Sequence, residues 1–224
     1  SLFAGADDDQ EISPGALFTL LARRRSERRF CDQPVGPEAV SALLAAAAQI
    51  PSGGNARTVE CKVLVDNDVR RGLLASIRGF YHRLLRIARS RFARVVVGAL
   101  LGKAAGAFLN DPEYRRRFIA LVDAIDGGID PVFYGAPVVL LFHSKAVMPT
   151  PEEDAVLAAY NVALAAATLG LGSCFVSMAQ KALSASRAVR RASGLGKGQR
   201  VLAVLAVGHP AVTRSRPVFS PSVP

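Results

Sequence analysis

Pro137 to Phe142 is an unbroken apolar run, Pro-Val-Val-Leu-Leu-Phe, and it is the stretch that most restricts the fold. A strand with one wet face alternates apolar and polar residues, whereas a continuous run rich in Val and Leu belongs to a central strand buried on both faces. The chain must therefore cover two faces of a sheet. One cover is the helix expected over Glu152 to Leu169, whose body carries no charge after its acidic first turn and has only Asn161 and Thr168 as clearly polar residues. Such a helix is either deeply buried or part of a subunit interface. Gly170 ends it as a C-terminal cap. The acids Glu152-Glu153-Asp154 could in principle supply paired carboxylates, but they read better as a first turn that complements the helix dipole.

The other elements are dispersed. Pro14, behind Ser13 as N-cap, opens a helix with Leu17, Leu20 and Leu21 that runs to about Arg24. Gly36-Pro37-Glu38 opens a second, with Val40, Leu43, Leu44 and Ala47 on one face, ending near Ile50-Pro51. Ser52-Gly53-Gly54-Asn55 is a loop, and Val59 to Val65 reads as a strand. Residues 67 to 125 read as helices, with Tyr81, Leu84, Leu85, Ala88, Phe92, Val95 and Val96 in one stripe and Arg83, Arg86 and Arg94 off it. Short strands are expected at Ser173 to Ser177 and Arg200 to Gly208, with a basic helix from about Ser184 to Ala192 between them. A few strands among many helices, without regular βαβ alternation, indicate an α+β fold. At 224 residues, half of them apolar and 21% charged, the chain can bury a sizeable core, and disorder is excluded for its bulk.

The net charge of +10 suggests an anionic partner: nucleic acid, a membrane surface or a phosphorylated small molecule. Its distribution is uneven. Five arginines crowd positions 23 to 29, and only basic residues, Arg70 to Lys103, lie between Asp68 and Asp111. Beyond Asp154 eight basic residues follow and no acid. Each run also fits a solvated helix face. No nucleic-acid reading motif is present, which argues against that partner. Cys31, Cys61 and Cys174 are odd in number and widely spaced, which fits neither a disulfide framework nor a four-ligand zinc site and points to a reducing, cytoplasmic setting. The longest apolar stretch, Val95 to Leu109, contains Lys103 and falls short of the roughly 20 residues of a membrane span. No signal-peptide pattern is visible.

Three constellations carry chemistry. Arg24-Arg25-Ser26-Glu27-Arg28 joins planar cationic donors to a hydroxyl, a set suited to phosphate, although a basic helix end would look the same. Pro51-Ser52-Gly53-Gly54-Asn55 allows close backbone approach and offers polar side chains, or is an ordinary turn; it is not a Walker loop. Arg214-Ser215-Arg216-Pro217 follows Gly208-His209-Pro210 and reads as a third cationic element or a polar tail.

Together, and in order, these stretches resemble the FMN-dependent nitroreductase family. The likeness runs through Arg24 to Phe30, Pro34-Val35, Leu43 to Ala47 and Pro51 to Asn55, resumes at Ala136-Pro137 and Ala165 to Ser177, and closes with Val207 to Pro210 and Arg214 to Pro217. The resemblance implies a mostly antiparallel sheet surrounded by helices, an intertwined homodimer and one FMN in each of two interface sites. It places Arg24, Arg25, Ser26 and Arg28 at the FMN phosphate and ribityl end, joined by Arg214 and Arg216. It puts Ser52 and Asn55 against the flavin, and Phe175, Val176, Ser177 and Met178 beside its ring system. Where the family continues with Gln and often Pro after Asn55, this chain has Arg57 and Thr58. Residues 14–217 are then one FMN domain between tails at 1–13 and 218–224, with a basic helical insert at about 67–129.

That insert is most like the variable segment of members that carry a ferredoxin-like domain, which here would lie upstream of Ser1. The implied activity is ping-pong reduction of nitroaromatics, quinones or another flat conjugated acceptor at the expense of NAD(P)H, with the flavin rather than any side chain as the reactive group. Flavin-dependent oxidation or dehalogenation is open on the same fold. A different class of reading is a basic module whose 70–110 helix lies on an anionic membrane surface. Tyr81, Phe92, Tyr114, Phe133 and Tyr134 are candidates for a substrate pocket or the core; His82 and His143 suit packing or hydrogen bonding.

Overall fold

The structure, a computed structural model, describes residues 12–89 and 111–212. In chain order these form α1 (Pro14–Arg23), α2 (Pro37–Ala47), a single 3-10 turn (Gly53–Asn55), β1 (Glu60–Leu64), α3 (Asn67–Arg89), α4 (Pro112–Asp126), β2 (Val138–Ser144), α5 (Pro151–Thr168), β3 (Gly172–Phe175), α6 (Ser177–Ala185), α7 (Arg187–Ala192) and β4 (Arg200–Gly208). The expectations for Phe92, Arg94 to Val96, Lys103, Arg214, Arg216, residues 1–11 of the first tail and the whole of the second lie outside the described residues.

All strand pairs are antiparallel, in the order β1-β2-β4-β3. β2 is buried along its whole length, as its sequence requires. Side chains alternate across a strand, so Val138, Leu140 and Phe142 join Ala203, Leu205 and Val207 of β4 in one core, covered by α2 and α5. Val139 and Leu141 join Val201, Val204 and Ala206 in the other, covered by α3, α4, α6 and α7. The change of parity between Val201 and Ala203 is absorbed by a register shift opposite Phe142 and His143.

Several boundaries differ from the sequence expectation. β3 stops at Phe175, and Ser177 opens a helix instead of ending a strand. The expected basic helix from Ser184 is broken at Ser186, which is extended (φ −122°, ψ 118°) and whose Oγ accepts from Val189 N at 3.4 Å to cap α7. α1 begins behind Ser13 as expected, with Ser13 Oγ accepting from Ala16 N, but none of its residues is buried. Leu17 and Phe18 are exposed there, as are Val156, Leu157 and Tyr160 on the outer side of α5.

α3 buries Leu73, Ile77, Tyr81 and Ala88 and turns Arg83, Arg86 and Arg89 to solvent. An ion pair between Arg78 and Asp126 ties it to α4. The described part of the apolar stripe thus packs on the core. Among the described residues no helix is long and apolar enough to cross a membrane. Phe142 is fully buried between β2 and the α2/α5 layer. Phe142→Ala is expected to lower the free energy of urea unfolding by about 3–5 kcal/mol; a loss below about 1 kcal/mol would contradict its burial beneath the α2/α5 layer.

Candidate functional site

After α1 the chain runs along the free edge of β3. Ser26 pairs with Ser173 in a parallel bridge and Phe30 with Pro210 in an antiparallel one. Glu27 N donates to Ser173 O at 2.9 Å, Cys31 N to His209 O at 3.0 Å, and Ala211 N to Arg29 O at 2.8 Å. Glu27 is buried, and its Oε1 accepts from both Arg28 N and Arg29 N at 2.9 Å. Packing here is close: a Cβ on Gly172 would lie 2.8 Å from that of Glu27. One acid thus folds the arginine-rich stretch onto the sheet and sets the exit direction of Arg28.

Arg28 faces a cavity of about 260 Å³ at the end of β3, lined also by Phe175, Val176, Ser177 and Met178, by Tyr81 and Phe118, by Tyr134 and by Arg117 and Lys181. Each wall is held by an identifiable contact. Tyr81, on α3, donates its hydroxyl to Met178 O at 2.9 Å and stacks on Phe118 with centroids 4.8 Å apart. Burial pushes the Tyr81 phenol well above its ordinary pKa, so it stays a donor. Asp130 accepts from Val132 N and Phe133 N through Oδ1 and from Gly135 N through Oδ2. That clamp holds Tyr134 at φ +59°, a left-handed conformation uncommon for a bulky residue. Burial raises the Tyr134 phenol, against a hydrogen bond from Arg28 that lowers it. Cys174 behind the wall is likewise raised by burial, with Arg28 opposing.

Ser177 and Met178 are the first residues of α6, where backbone N–H groups have no intrahelical acceptor. The residue before them, Val176, gives no side-chain cap and donates its own N–H to Val204 O at 2.9 Å. The first turn therefore offers donors and the positive end of a helix dipole beside the cavity.

Of the sequence-predicted site residues, Arg28 and Phe175 to Met178 meet in this cavity. Arg24 and Arg25 are half-buried and Ser26 is exposed; none of the three lines it. Arg24 places its guanidinium carbon 5.8 Å from the Tyr160 ring centroid, and its Nε is buried without a hydrogen-bond partner. Arg214 and Arg216 lie outside the described residues. Ser52 and Asn55 precede β1, which forms the opposite sheet edge from β3, three strand spacings or about 14 Å from it. There Ser52 Oγ accepts from Arg57 N at 3.1 Å and Asn55 Oδ1 from Arg57 Nε at 3.2 Å. Sequence reasoning proposed Tyr81 and Tyr134 among other aromatics. It missed Phe118, Arg117, Lys181 and the organising role of Asp130, for which the only signal was the turn composition of Gly127-Gly128-Ile129-Asp130-Pro131.

A helix-covered antiparallel sheet with this edge cavity is the nitroreductase fold. The nitroreductase family profile matches residues 21–209, and the chain belongs to that family. Similar solved structures include a nitroreductase with bound FMN from Bacteroides fragilis NCTC 9343, at 19% identity, TM-score 0.68, covering 93% of this chain and 97% of that one. Another, from Desulfitobacterium hafniense DCB-2 and also with bound FMN, has 20% identity and a TM-score of 0.64, with coverage of 92% and 93%. A protein provisionally named an NADH dehydrogenase/NAD(P)H nitroreductase, from Bacteroides thetaiotaomicron VPI-5482, has 18% identity and a TM-score of 0.59, with coverage of 94% and 95%. No curated protein sequence matches the chain.

Glu27→Ala leaves the Arg28 and Arg29 amides without their acceptor and is expected to cost roughly 1–3 kcal/mol in equilibrium unfolding. Faster amide hydrogen exchange should appear at residues 26–31 first; protection unchanged there would show that the carboxylate does not hold the segment.

Proposed function

We propose that this protein is an FMN-dependent oxidoreductase, with the flavin ring system in the cavity beside Phe175 to Met178. The observation that carries the reading is the buried, unpartnered Arg24 Nε in the same non-helical segment as the cavity cation Arg28. A buried guanidinium nitrogen without an acceptor is costly unless a ligand supplies one, and a phosphate does so with charge-assisted bonds. The rest of the donor set fits the same group: Arg25 and Ser26 beside Arg24, the open first turn of α6, and an apolar wall of Phe118, Val132, Phe175 and Met178 for a flat ring.

Bound there, FMN would supply hydride and electron transfer between a nicotinamide donor and a nitroaromatic, quinone or similar flat acceptor that take turns in one cavity. The chain's own contribution is positional and electrostatic. Arg28 and the N–H groups of Ser177 and Met178 would present positive potential to the bound ring. Tyr81 holds the Met178 backbone in place through its carbonyl, and Arg24, with Arg214 and Arg216, would hold the phosphate. Support for NAD(P)H as donor comes from the name given to the Bacteroides thetaiotaomicron protein.

A homodimer belongs to the same reading, with residues 14–217 as one domain in each subunit. Ser52 and Asn55 are too far from the cavity of their own subunit, whereas Leu17 and Phe18 of α1 and Val156, Leu157 and Tyr160 of α5 offer an uncovered apolar face for a second copy. Cys31, Cys61 and Cys174 are all free, which suits a reducing, cytoplasmic setting.

Purified protein supplemented with FMN should show a flavin spectrum that NADH or NADPH bleaches anaerobically. A colourless protein that does not take up FMN would overturn the reading. Arg24→Ala should weaken FMN retention about tenfold or more, the equivalent of losing one charge-assisted hydrogen bond of roughly 1.5–3 kcal/mol. Wild-type retention would remove Arg24 from the phosphate site.

A further inference from the structure

A second cavity, of about 290 Å³, lies on the opposite face of the sheet, between α2, the start of β1 and the first half of α5. Its walls include Leu44, Ala47, Ile50, Val59, Phe142 and Ala158, and its polar groups are Arg57, Glu60, Cys61 and Asp154. Asp154 is 3% exposed. Its Oδ1 accepts from Thr150 Oγ1 at 3.1 Å, whereas its Oδ2 is buried without a partner.

A buried carboxylate oxygen with no donor is an expensive arrangement. Arg57, the only cation on the cavity wall among the described residues, points Nε at Asn55 Oδ1 instead. Burial pushes the Cys61 thiol up to about 12, so it stays neutral at physiological pH and adds no anion. Arg57, Glu60 and Asp154 then leave the wall with one net negative charge. At the roughly 30 Å³ that a water occupies in the liquid, the volume admits about ten non-hydrogen atoms.

We propose that this cavity binds a small monocationic amine, its ammonium group donating to Asp154 Oδ2 and its apolar body lying against Leu44, Ala47 and Phe142. The size corresponds to an arylalkylamine with a short side chain. An anionic ligand is disfavoured by Asp154 and Glu60, and a purely apolar one leaves Oδ2 unpaired.

The test uses the full chain supplemented with FMN, titrated with 2-phenylethylamine and with 3-phenylpropionate by isothermal titration calorimetry and ligand-observed NMR. Saturable binding of the amine is expected, with binding of the carboxylate at least tenfold weaker. Asp154→Asn should weaken the amine at least tenfold. Ala47→Leu, which takes up cavity space and keeps Asp154, should do the same and decides the matter if Asp154→Asn does not fold. No saturable amine binding to the wild-type protein, equal affinity for amine and carboxylate, or unchanged amine affinity in either folded variant would overturn the proposal. These readouts do not depend on visible absorbance, so they stand apart from the test of flavin binding.

Discussion

Burial of β2 on both faces is the constraint from which the rest of the architecture follows. A strand with no wet side needs apolar cover above and below, and helices from both halves of the chain provide it: α2 and α5 on one face, α3, α4, α6 and α7 on the other. With both faces covered, the middle of the sheet is left to apolar side chains. The cavity of Arg28 lies at the end of β3, one edge strand, and the loop of Ser52 and Asn55 precedes β1, the other. Sheet topology has therefore separated, within one chain, two elements that adjoin only if a second chain brings them together.

The edge of β3 would be an unprotected row of backbone donors and acceptors without the segment from Ser26 to Cys31. Glu27 resolves a conflict here. Five arginines between positions 23 and 29 repel one another, and a run of like charge tends to stay solvated. A buried carboxylate within the run, accepting from the next two backbone amides, offsets that repulsion and lays the run on the sheet. The arginines are consequently sorted: Arg24 stands over the ring of Tyr160, and Arg28 projects into the cavity. Charge density that would otherwise destabilise an exposed tail becomes a directed set of donors.

Much of this was legible in the residues. The Pro137–Phe142 run announced a doubly buried strand, the α5 composition its apolar surroundings, and the order of Arg24 to Phe30, Pro51 to Asn55 and Leu169 to Val176 the family. What the residues did not reveal were features set by long-range geometry. Ser177 opens a helix because Val176 spends its amide on Val204 and the chain then turns away from the sheet; nothing local in Phe175-Val176-Ser177-Met178 distinguishes that from a continuing strand. The clamp of Asp130 on Val132, Phe133 and Gly135 shows in sequence only as turn composition. The helical stripe with Arg83, Arg86 and Arg94 off it is equally compatible in sequence with a lipid-facing surface; in the structure Leu73, Ile77 and Tyr81 of α3 pack on the core, and Tyr81 fixes Met178. The described part of the insert thus supports the site.

The two cavities differ in sign, and the chain's charge pattern explains why. The one at β3 draws its charges from Arg28, Arg117 and Lys181, with no carboxylate among its described lining residues. The one beneath α2 draws two of its three charges from Glu60 and Asp154. Asp154 is the last acid in the sequence, and all that follows it, including α6 and α7, is basic or neutral. β2 from Val138 to Phe142 and β4 from Val201 to Val207 lie between the two faces as a layer of apolar side chains, and this low-dielectric separation keeps the two potentials distinct. A net charge of +10 thus coexists with a locally negative pocket. The negative pocket favours a cation that the positive cavity would repel.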